Sequence, residues 1–292
     1  MKITQKLLLC LAVTGAMLPM TANAASGNGS VPAEETAAIS ESTAPDAEVV
    51  ANQMREYYLS ETGPQGNTFY AYDASAISLP ETDEQGNGRL LEVPLYRQSH
   101  NFTCGVACVA SVLRYAGYDF DTREDRLFWE LAATPENGTS YVRIAEYLDA
   151  VRVEGSPDTP VFATEILCTD YASDEQDLAL RLLSQFRADL DDGKPVICVI
   201  QAWKDDGDYT AGTEDDGHYV VLIGYRKDTE RDTYIYYFMD PSTSGSYTYL
   251  TEEEFILRWH DNLNGNSTRI AIAVSYLNAV QDAPIHAAYH LD

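Results

Sequence analysis

Residues 104–116 read CGVACVASVLRYA and are apolar on nearly every side. A helix without a polar face has to be buried, and Gly117 directly after it is typical of a helix end. Farther along, residues 196–202 read VICVIQA, a continuous apolar run rich in β-branched residues. Such a run predicts a central strand that is covered on both faces. Together the two stretches predict a buried helix packed against a sheet.

Around these two stretches, helical patterns come first and strand patterns follow. Further helices are predicted near 122–132, at 140–151, from 173 to Gly193, and, after a Thr251–Glu254 capping box, through Trp259. Further strands are predicted at 90–96, 219–225, 233–239 and 269–276. This order predicts an α+β fold in which N-terminal helices pack on a mostly antiparallel sheet.

The first 24 residues (1–24) have the pattern of a secretory signal peptide. Lys2 and Lys6 precede an apolar stretch at 7–18, and Ala22-Asn23-Ala24 is a small-x-small cleavage site. The apolar stretch is too short to span a bilayer comfortably. The sequence therefore predicts an exported protein, secreted or held in the cell envelope.

Composition divides the rest of the chain into three parts. Residues 25–88 hold eleven acidic residues and a single basic one, Arg55, which predicts a largely disordered arm. A solvated linker is the simpler interpretation of this arm, and an inhibitory pro-segment is the alternative. Residues 89–277 are predicted to form the folded domain, and residues 278–292 are predicted to form a polar tail.

The charge balance excludes two classes of partner. The chain has 19 Lys and Arg against 46 Asp and Glu, a formal net charge of −27. Nucleic-acid binding needs a basic footprint, and docking on anionic lipid needs clustered Lys or Arg. No stretch after the signal is apolar and long enough for a membrane helix.

Cys104 opens the buried helix, where a cysteine is suited to nucleophilic chemistry. Unpaired backbone N–H groups and the positive end of the helix dipole lie beside its sulfur and favour the thiolate. Gly105 is expected to leave room for a substrate backbone. Six residues before the cysteine, Gln98 offers a neutral amide donor for an oxyanion. A buried structural cysteine is the plain alternative.

A base and its orienting group are predicted from one hairpin. His218 begins a strand after a glycine, and Asp240 ends the next strand before a proline. A hairpin centred on Thr229 would pair His218 directly with Asp240 on one face of the sheet. By contrast, His100 and His260 have no such strand context and are expected to be ordinary side chains, as are the two histidines near the C-terminus.

These motifs together resemble family 39 of the cysteine peptidases, the bacteriocin-processing, double-glycine-leader enzymes of papain-like fold. The matching segments are Gln98-x5-Cys104-Gly105, Gly217-His218-Tyr219-Val220-Val221 and Met239-Asp240-Pro241-Ser242. The resemblance covers about residues 90–277 and is closest to exported, stand-alone relatives. It implies Cys104 as nucleophile, His218 as base, Asp240 as orienting group and Gln98 as oxyanion donor, with a peptide or protein as substrate.

No cofactor or metal is expected. The loop before His218 is rich in carboxylates, between Asp205 and Asp216, and calcium is conceivable there. No glycine stands where an EF-hand loop requires one, so a solvated loop is favoured. If this loop flanks the site, its charge would raise the pKa of His218 and disfavour acidic substrates.

The sequence thus predicts a thiol-dependent hydrolase, a cysteine peptidase, acting on peptide or amide bonds outside the cytoplasm. Two alternatives stay open. One is an acyltransferase or transpeptidase of the same chemistry, which would need an amine as acceptor. The other is a non-catalytic peptide-binding module on the same fold.

Overall fold

The computed structural model describes residues 88–118, 123–153, 156–171, 176–202, 209, 217–242, 247–263 and 266–277. The predicted signal peptide, nearly all of the acidic arm and the polar tail lie outside these residues. Within the described part, no helix combines the length and the apolar character needed to cross a membrane.

Five helices lie in the described residues. They are α1 Cys104–Tyr115, α2 Glu124–Glu130, α3 Tyr141–Ala150, α4 Gln176–Asp191 and α5 Glu252–Arg258. Helix α1 is the central one: every residue except Arg114 is buried, as its lack of a polar face requires. The backbone of Gly117 has a positive φ of 72° and closes the helix, as predicted.

The strands form one large sheet and one small one. They are β1 Gly88–Leu90, β2 Arg152–Val153, β3 Ser156–Pro160, β4 Phe162–Asp170, β5 Val196–Gln201, β6 Gly217–Asp228, β7 Thr233–Met239, β8 Tyr247–Thr251, β9 Asp261–Leu263 and β10 Asn266–Tyr276. The large sheet has the order β4-β10-β5-β6-β7-β8, with β1 paired to β6 and β9 to β10, and these pairs are antiparallel. Strands β2 and β3 pair separately.

The predicted α+β class is confirmed: helices pack on a large antiparallel sheet. Helix α1 packs directly against β6. Strand β5 is buried at all six positions, as its continuous apolar run predicts. The capping box of α5 is present, with the Thr251 hydroxyl accepting from the Glu254 N–H and the Glu254 carboxylate accepting from the Thr251 N–H.

One strand prediction is wrong. Residues 90–96 were expected to form a strand, but β1 ends at Leu90. Beyond it the chain is irregular, although Val93 and Leu95 are fully buried. Pro94 cannot donate to a ladder, which explains why a buried apolar stretch leaves the sheet here.

Candidate active site

Cys104 lies where α1 begins, with its side chain 5% exposed. The preceding residue, Thr103, does not cap the first turn with its side chain, and its hydroxyl donates instead to the carbonyl of His100 at 3.1 Å. The first turn of α1 contains no acidic residue. The positive end of this helix is therefore left for an anion at or near the sulfur of Cys104.

His218 and Asp240 meet where β6 begins and β7 ends. The Nε2 atom of His218 lies 2.7 Å from Oδ1 of Asp240, and both side chains are buried. The same carboxylate oxygen accepts the N–H of Ser242 at 2.9 Å. This local turn fixes the carboxylate, which in turn fixes the plane of the imidazole.

The sulfur of Cys104 is the second hydrogen-bonding partner of His218. Since Asp240 engages Nε2, the other ring nitrogen, Nδ1, is the one available to the sulfur. Burial of the imidazole lowers the pKa of His218, but its hydrogen bonds to Asp240 and Cys104, and the negative charges of those groups, outweigh that effect. The net result is a pKa of about 9. At neutral pH the imidazole is therefore protonated.

The predicted hairpin register is wrong by two residues. Val221 pairs with Met239, where the prediction paired it with Tyr237. His218 and Asp240 are therefore diagonal neighbours instead of direct partners. A shift of two keeps both side chains on one face of the sheet, and diagonal neighbours are still within reach of long side chains. This is why His218 and Asp240 form the 2.7 Å contact although the observed register differs from the predicted one.

Gln98 lies beside the other groups through its backbone and its side chain. Its N–H donates to the carbonyl of Pro241 at 2.7 Å, which ties it to the segment after Asp240. Its Nε2 donates to the carbonyl of His100 at 2.6 Å, the same carbonyl that Thr103 contacts. Its Oε1 is buried and has no hydrogen-bond partner among the described residues. One N–H of the amide is thus occupied.

Two glycines at the site lie close to neighbouring side chains. A side chain on Gly105 would place its Cβ 2.9 Å from Thr139 Cβ, so the helix start packs closely on that residue. The expectation that Gly105 makes room for substrate is therefore wrong. A Cβ on Gly217 would meet the Asp261 carboxylate at 2.4 Å. A negative charge thus lies directly beside the residue that precedes His218.

The three remaining described cysteines differ from Cys104 in their surroundings, and all four are free thiols. Burial raises the pKa of Cys108 well above its usual value, and nearby Cys104 and Asp240 raise it further. Burial likewise raises the pKa of Cys198. Cys168 is half-buried, with the Tyr141 hydroxyl 3.9 Å from its sulfur. Neither Cys108 nor Cys198 is thereby suited to form a thiolate.

The acidic loop before His218 falls outside the described residues except for Tyr209. The carbonyl of that residue lies 2.9 Å from Nε2 of His260, which is itself buried. The rise in the pKa of His218 is accounted for by Asp240 and Cys104, so the predicted role of the loop stays a prediction. Within the described part, no three His, Cys, Asp or Glu side chains converge in a way that could hold a metal ion.

A second cluster next to the site was missed by the sequence analysis. The Ser99 hydroxyl contacts both the Glu124 carboxylate and Nδ1 of His100, the latter at 2.7 Å. Glu124 is completely buried, although it is the first residue of α2. No sequence signal marks this contact, because Ser99 and Glu124 lie 25 residues apart and acidic residues are common in the first turn of any helix.

Comparison with known proteins identifies a family and a structural likeness. The model described as "Peptidase_C39 like family" matches residues 90–265, more than half of the chain. A search of curated proteins finds no match. Among solved structures, the crystal structure of UfSP from C. elegans is similar at 11% identity and a TM-score of 0.42, over 74% of this chain. The matched region spans 38% of that protein's length.

Proposed function

This chain belongs to the Peptidase_C39 like family, and we propose that it is an exported cysteine peptidase that cleaves peptide or amide bonds. One observation carries the proposal. A single buried imidazole, that of His218, holds the Asp240 carboxylate on one side and the Cys104 sulfur on the other. Nucleophile, base and orienting group in this order are the arrangement that acyl transfer by a thiol requires.

In the first step, the Cys104 sulfur attacks the carbonyl carbon of the scissile bond. A C–S bond forms, and the carbonyl π electrons move onto oxygen. The imidazolium of His218, which a pKa of about 9 keeps protonated at neutral pH, stabilises the attacking thiolate. Asp240 keeps the ring oriented through Nε2 while Nδ1 faces the reaction.

The charge that develops on the carbonyl oxygen needs donors. The second N–H of the Gln98 amide and the backbone N–H of Cys104 are the proposed pair, and the helix dipole of α1 adds to their effect. Collapse of the tetrahedral intermediate breaks the C–N bond, and His218 gives its proton to the departing amine. The product is a thioester on Cys104 and a neutral imidazole.

In the second step, water attacks the thioester carbonyl while neutral His218 takes one of its protons. The C–S bond then breaks, the carboxylic acid product leaves, and the imidazolium–thiolate pair is restored. An amine in place of water would give a new amide, which is the acyltransferase alternative. The proposed substrate is a peptide or protein, and the acidic character of the chain disfavours acidic substrates.

The test is digestion of a diverse peptide library by the full chain, with Cys104→Ala as the control and products identified by mass. We expect new peptide ends that are absent with the control. Amide products that appear only with an added amine would favour the acyltransferase, and peptide binding without cleavage would favour a binding module.

Thiol labelling gives an independent readout. Iodoacetamide at pH 6, followed by peptide mapping, is expected to label Cys104 first among the four cysteines that the structure describes, because the other three lack both the helix N-terminus and His218. Preferential labelling of Cys108, or slow uniform labelling that His218→Ala leaves unchanged, would contradict the proposal.

A further inference from the structure

The segment between Gln98 and Cys104 is held in place by helix α2. The Glu124 carboxylate, 0% exposed, accepts the N–H of Ser99 at 3.2 Å through Oε1 and the Ser99 hydroxyl through Oε2. A fully buried carboxylate is costly unless donors compensate for lost water. Two donors from one residue provide such compensation, and they fix Ser99 in two directions at once.

The contact continues from Ser99 to His100. The Ser99 hydroxyl has one hydrogen, which it gives to Glu124, so Nδ1 of His100 must be the donor in the 2.7 Å contact to that hydroxyl oxygen. The backbone of His100 is fixed as well, since its N–H donates to the Thr103 hydroxyl at 3.3 Å. The orientation of the His100 peptide therefore depends on Glu124 and on Thr103.

The carbonyl of His100 is the point at which this network reaches the active site. It accepts three hydrogen bonds: from Nε2 of Gln98 at 2.6 Å, from the hydroxyl of Thr103 at 3.1 Å and from the N–H of Thr103 at 3.3 Å. Because Oε1 of Gln98 has no partner in the described residues, this one bond orients the amide. A displacement of the His100 carbonyl would move the amide and the start of α1 together.

Helix α2 supports the same segment a second time, one turn further on. Phe128, four residues after Glu124, packs edge-on against Phe102 with ring centroids 5.8 Å apart. Both rings are buried. The contact between Phe128 and Phe102 sets the distance between α2 and the Gln98–Cys104 segment. The hydrogen bonds from Ser99 to Glu124 set the orientation of that segment.

We propose that Glu124 is a positioning residue, which acts through Ser99 and His100 to hold the Gln98 amide and the Cys104 N–H at the spacing that an oxyanion needs. The inference rests on the proposed function. The contacts of Glu124 described above are with Ser99, which lies five residues before the nucleophile. Removal of Glu124 should therefore impair reactions that pass through an oxyanion and spare those that do not.

Two reagents distinguish reactions of Cys104 that pass through an oxyanion from reactions that do not, and both are used on the full chain. With 4-nitrophenyl acetate, the Cys104 sulfur forms a bond to the acetyl carbon, an oxyanion develops, and 4-nitrophenolate leaves. With iodoacetamide, the sulfur displaces iodide from a methylene carbon, and no oxyanion forms. The Cys104-containing peptide is quantified by mass in both cases, with Cys104→Ala as the blank.

We expect Glu124→Ala to slow acylation of Cys104 by about 10- to 100-fold, while alkylation stays within about two-fold of the wild type. Glu124→Gln should recover part of the acylation rate, because its Oε1 can still accept the Ser99 N–H while its amide donates to the Ser99 hydroxyl oxygen. Melting temperatures identify the folded variants, and Glu124→Gln provides the measurement if Glu124→Ala does not fold.

Asp125→Ala is the matched control. Asp125 is the next residue of α2, is 5% exposed, and pairs with Arg123 through bonds of 2.9 and 2.5 Å. Its removal deletes a buried carboxylate from the same turn and should leave the ratio of acylation to alkylation unchanged.

The outcomes distinguish the two proposals. Equal loss of both reactions in folded Glu124 variants, or the same change of ratio in Asp125→Ala, would overturn the positioning role and leave the proposed function standing. If the wild-type Cys104 is acylated no faster than Cys168, the proposed function fails and the positioning role fails with it.

Discussion

Two clusters in this molecule contain the same kinds of group: a nucleophile, a histidine and a carboxylate. One is Cys104, His218 and Asp240; the other is Ser99, His100 and Glu124. The clusters lie at the two ends of the segment that leads into α1. They differ in the order in which the three groups are linked.

In the first cluster the histidine is in the middle, so the imidazole can exchange a proton with the sulfur while the carboxylate holds it from behind. In the second cluster the serine is in the middle. Its only hydroxyl hydrogen points to Glu124, and His100 donates to its oxygen. No imidazole nitrogen faces that hydrogen, so Ser99 lacks the Ser–His pairing that activates a serine nucleophile. The comparison teaches that the order of hydrogen bonds, more than the set of residues, distinguishes the proposed catalytic cluster from a structural one.

The largest difference between the clusters should appear when each nucleophile is removed. Cys104→Ala is expected to lower turnover of a cleaved peptide by at least about 10³-fold, because no other group can form the acyl intermediate. Ser99→Ala should leave Cys104-dependent turnover detectable, since it only loosens the segment. Turnover is measured on one peptide from the library digest. Complete loss in folded Ser99→Ala would mean that the second cluster takes part in the chemistry.

The next effect concerns the carboxylate of the first cluster. Asp240→Asn should lower turnover by about 10- to 100-fold, much less than Cys104→Ala, because an amide oxygen can still accept from Nε2 of His218 and from the Ser242 N–H. Steady-state rates at fixed pH compare the two variants. Equal losses in both, with folding intact, would contradict the role of Asp240 as an orienting group.

A smaller effect should appear in stability against pH. His218 has a pKa of about 9 in the folded chain against 6.5 for the free side chain. Its contribution to stability is therefore complete below about pH 6.5 and is lost as the pH rises through about 9. The loss is at most about 3 kcal/mol in the free energy of unfolding. Urea unfolding at a series of pH values measures it.

Two cysteine variants sharpen this measurement. Cys104→Ala removes one of the groups that raise the pKa of His218, so the free energy of unfolding should fall less between pH 6.5 and 9. Cys108→Ala, one helical turn away, should keep the wild-type slope, although the lost side chain lowers stability at every pH. Identical slopes in the two variants would argue against coupling between Cys104 and His218.

The smallest effect is expected from removal of the acidic arm. Deletion of residues 25–87 should change the free energy of unfolding by less than about 0.5 kcal/mol, because so acidic and polar a segment can bury little apolar surface. Extending the deletion through Leu90 removes β1 from β6 and should cost measurably more. Thermal unfolding compares the two deletions. A large loss from the shorter deletion would show that the arm belongs to the fold.

Much of the fold followed from local pattern. The all-apolar helix, the continuous apolar strand, the Gly117 helix end and the Thr251–Glu254 capping box are all present as predicted. Each depends on neighbours within a few residues, where side-chain period and backbone preference act directly. The edge strand β4 was missed, because its alternation is weak and its partner β10 lies a hundred residues further along the chain.

Local sequence pattern did not predict the strand register that brings His218 and Asp240 together. If the pairing of β6 and β7 near their turn continued without interruption, Asp240 would lie opposite Val221. Val221 points to the face of the sheet opposite to that of His218. An extra residue in β6, Ile223, shifts the register by one. Asp240 then falls opposite Val220 and shares the face of His218. No turn motif announces such a bulge, which is decided by packing on both sides of the sheet.

The sequence by itself determined which residues could do chemistry: a cysteine at the start of a buried helix, a histidine at the start of a strand, and an amide and a carboxylate at matching spacings. Only the tertiary structure decided how they are linked. Whether an imidazole lies between sulfur and carboxylate, or a hydroxyl lies between imidazole and carboxylate, depends on contacts such as Ser99 with Glu124, 25 residues apart. Hydrogen bonds act over about 3 Å, and only the folded chain brings such distant groups that close.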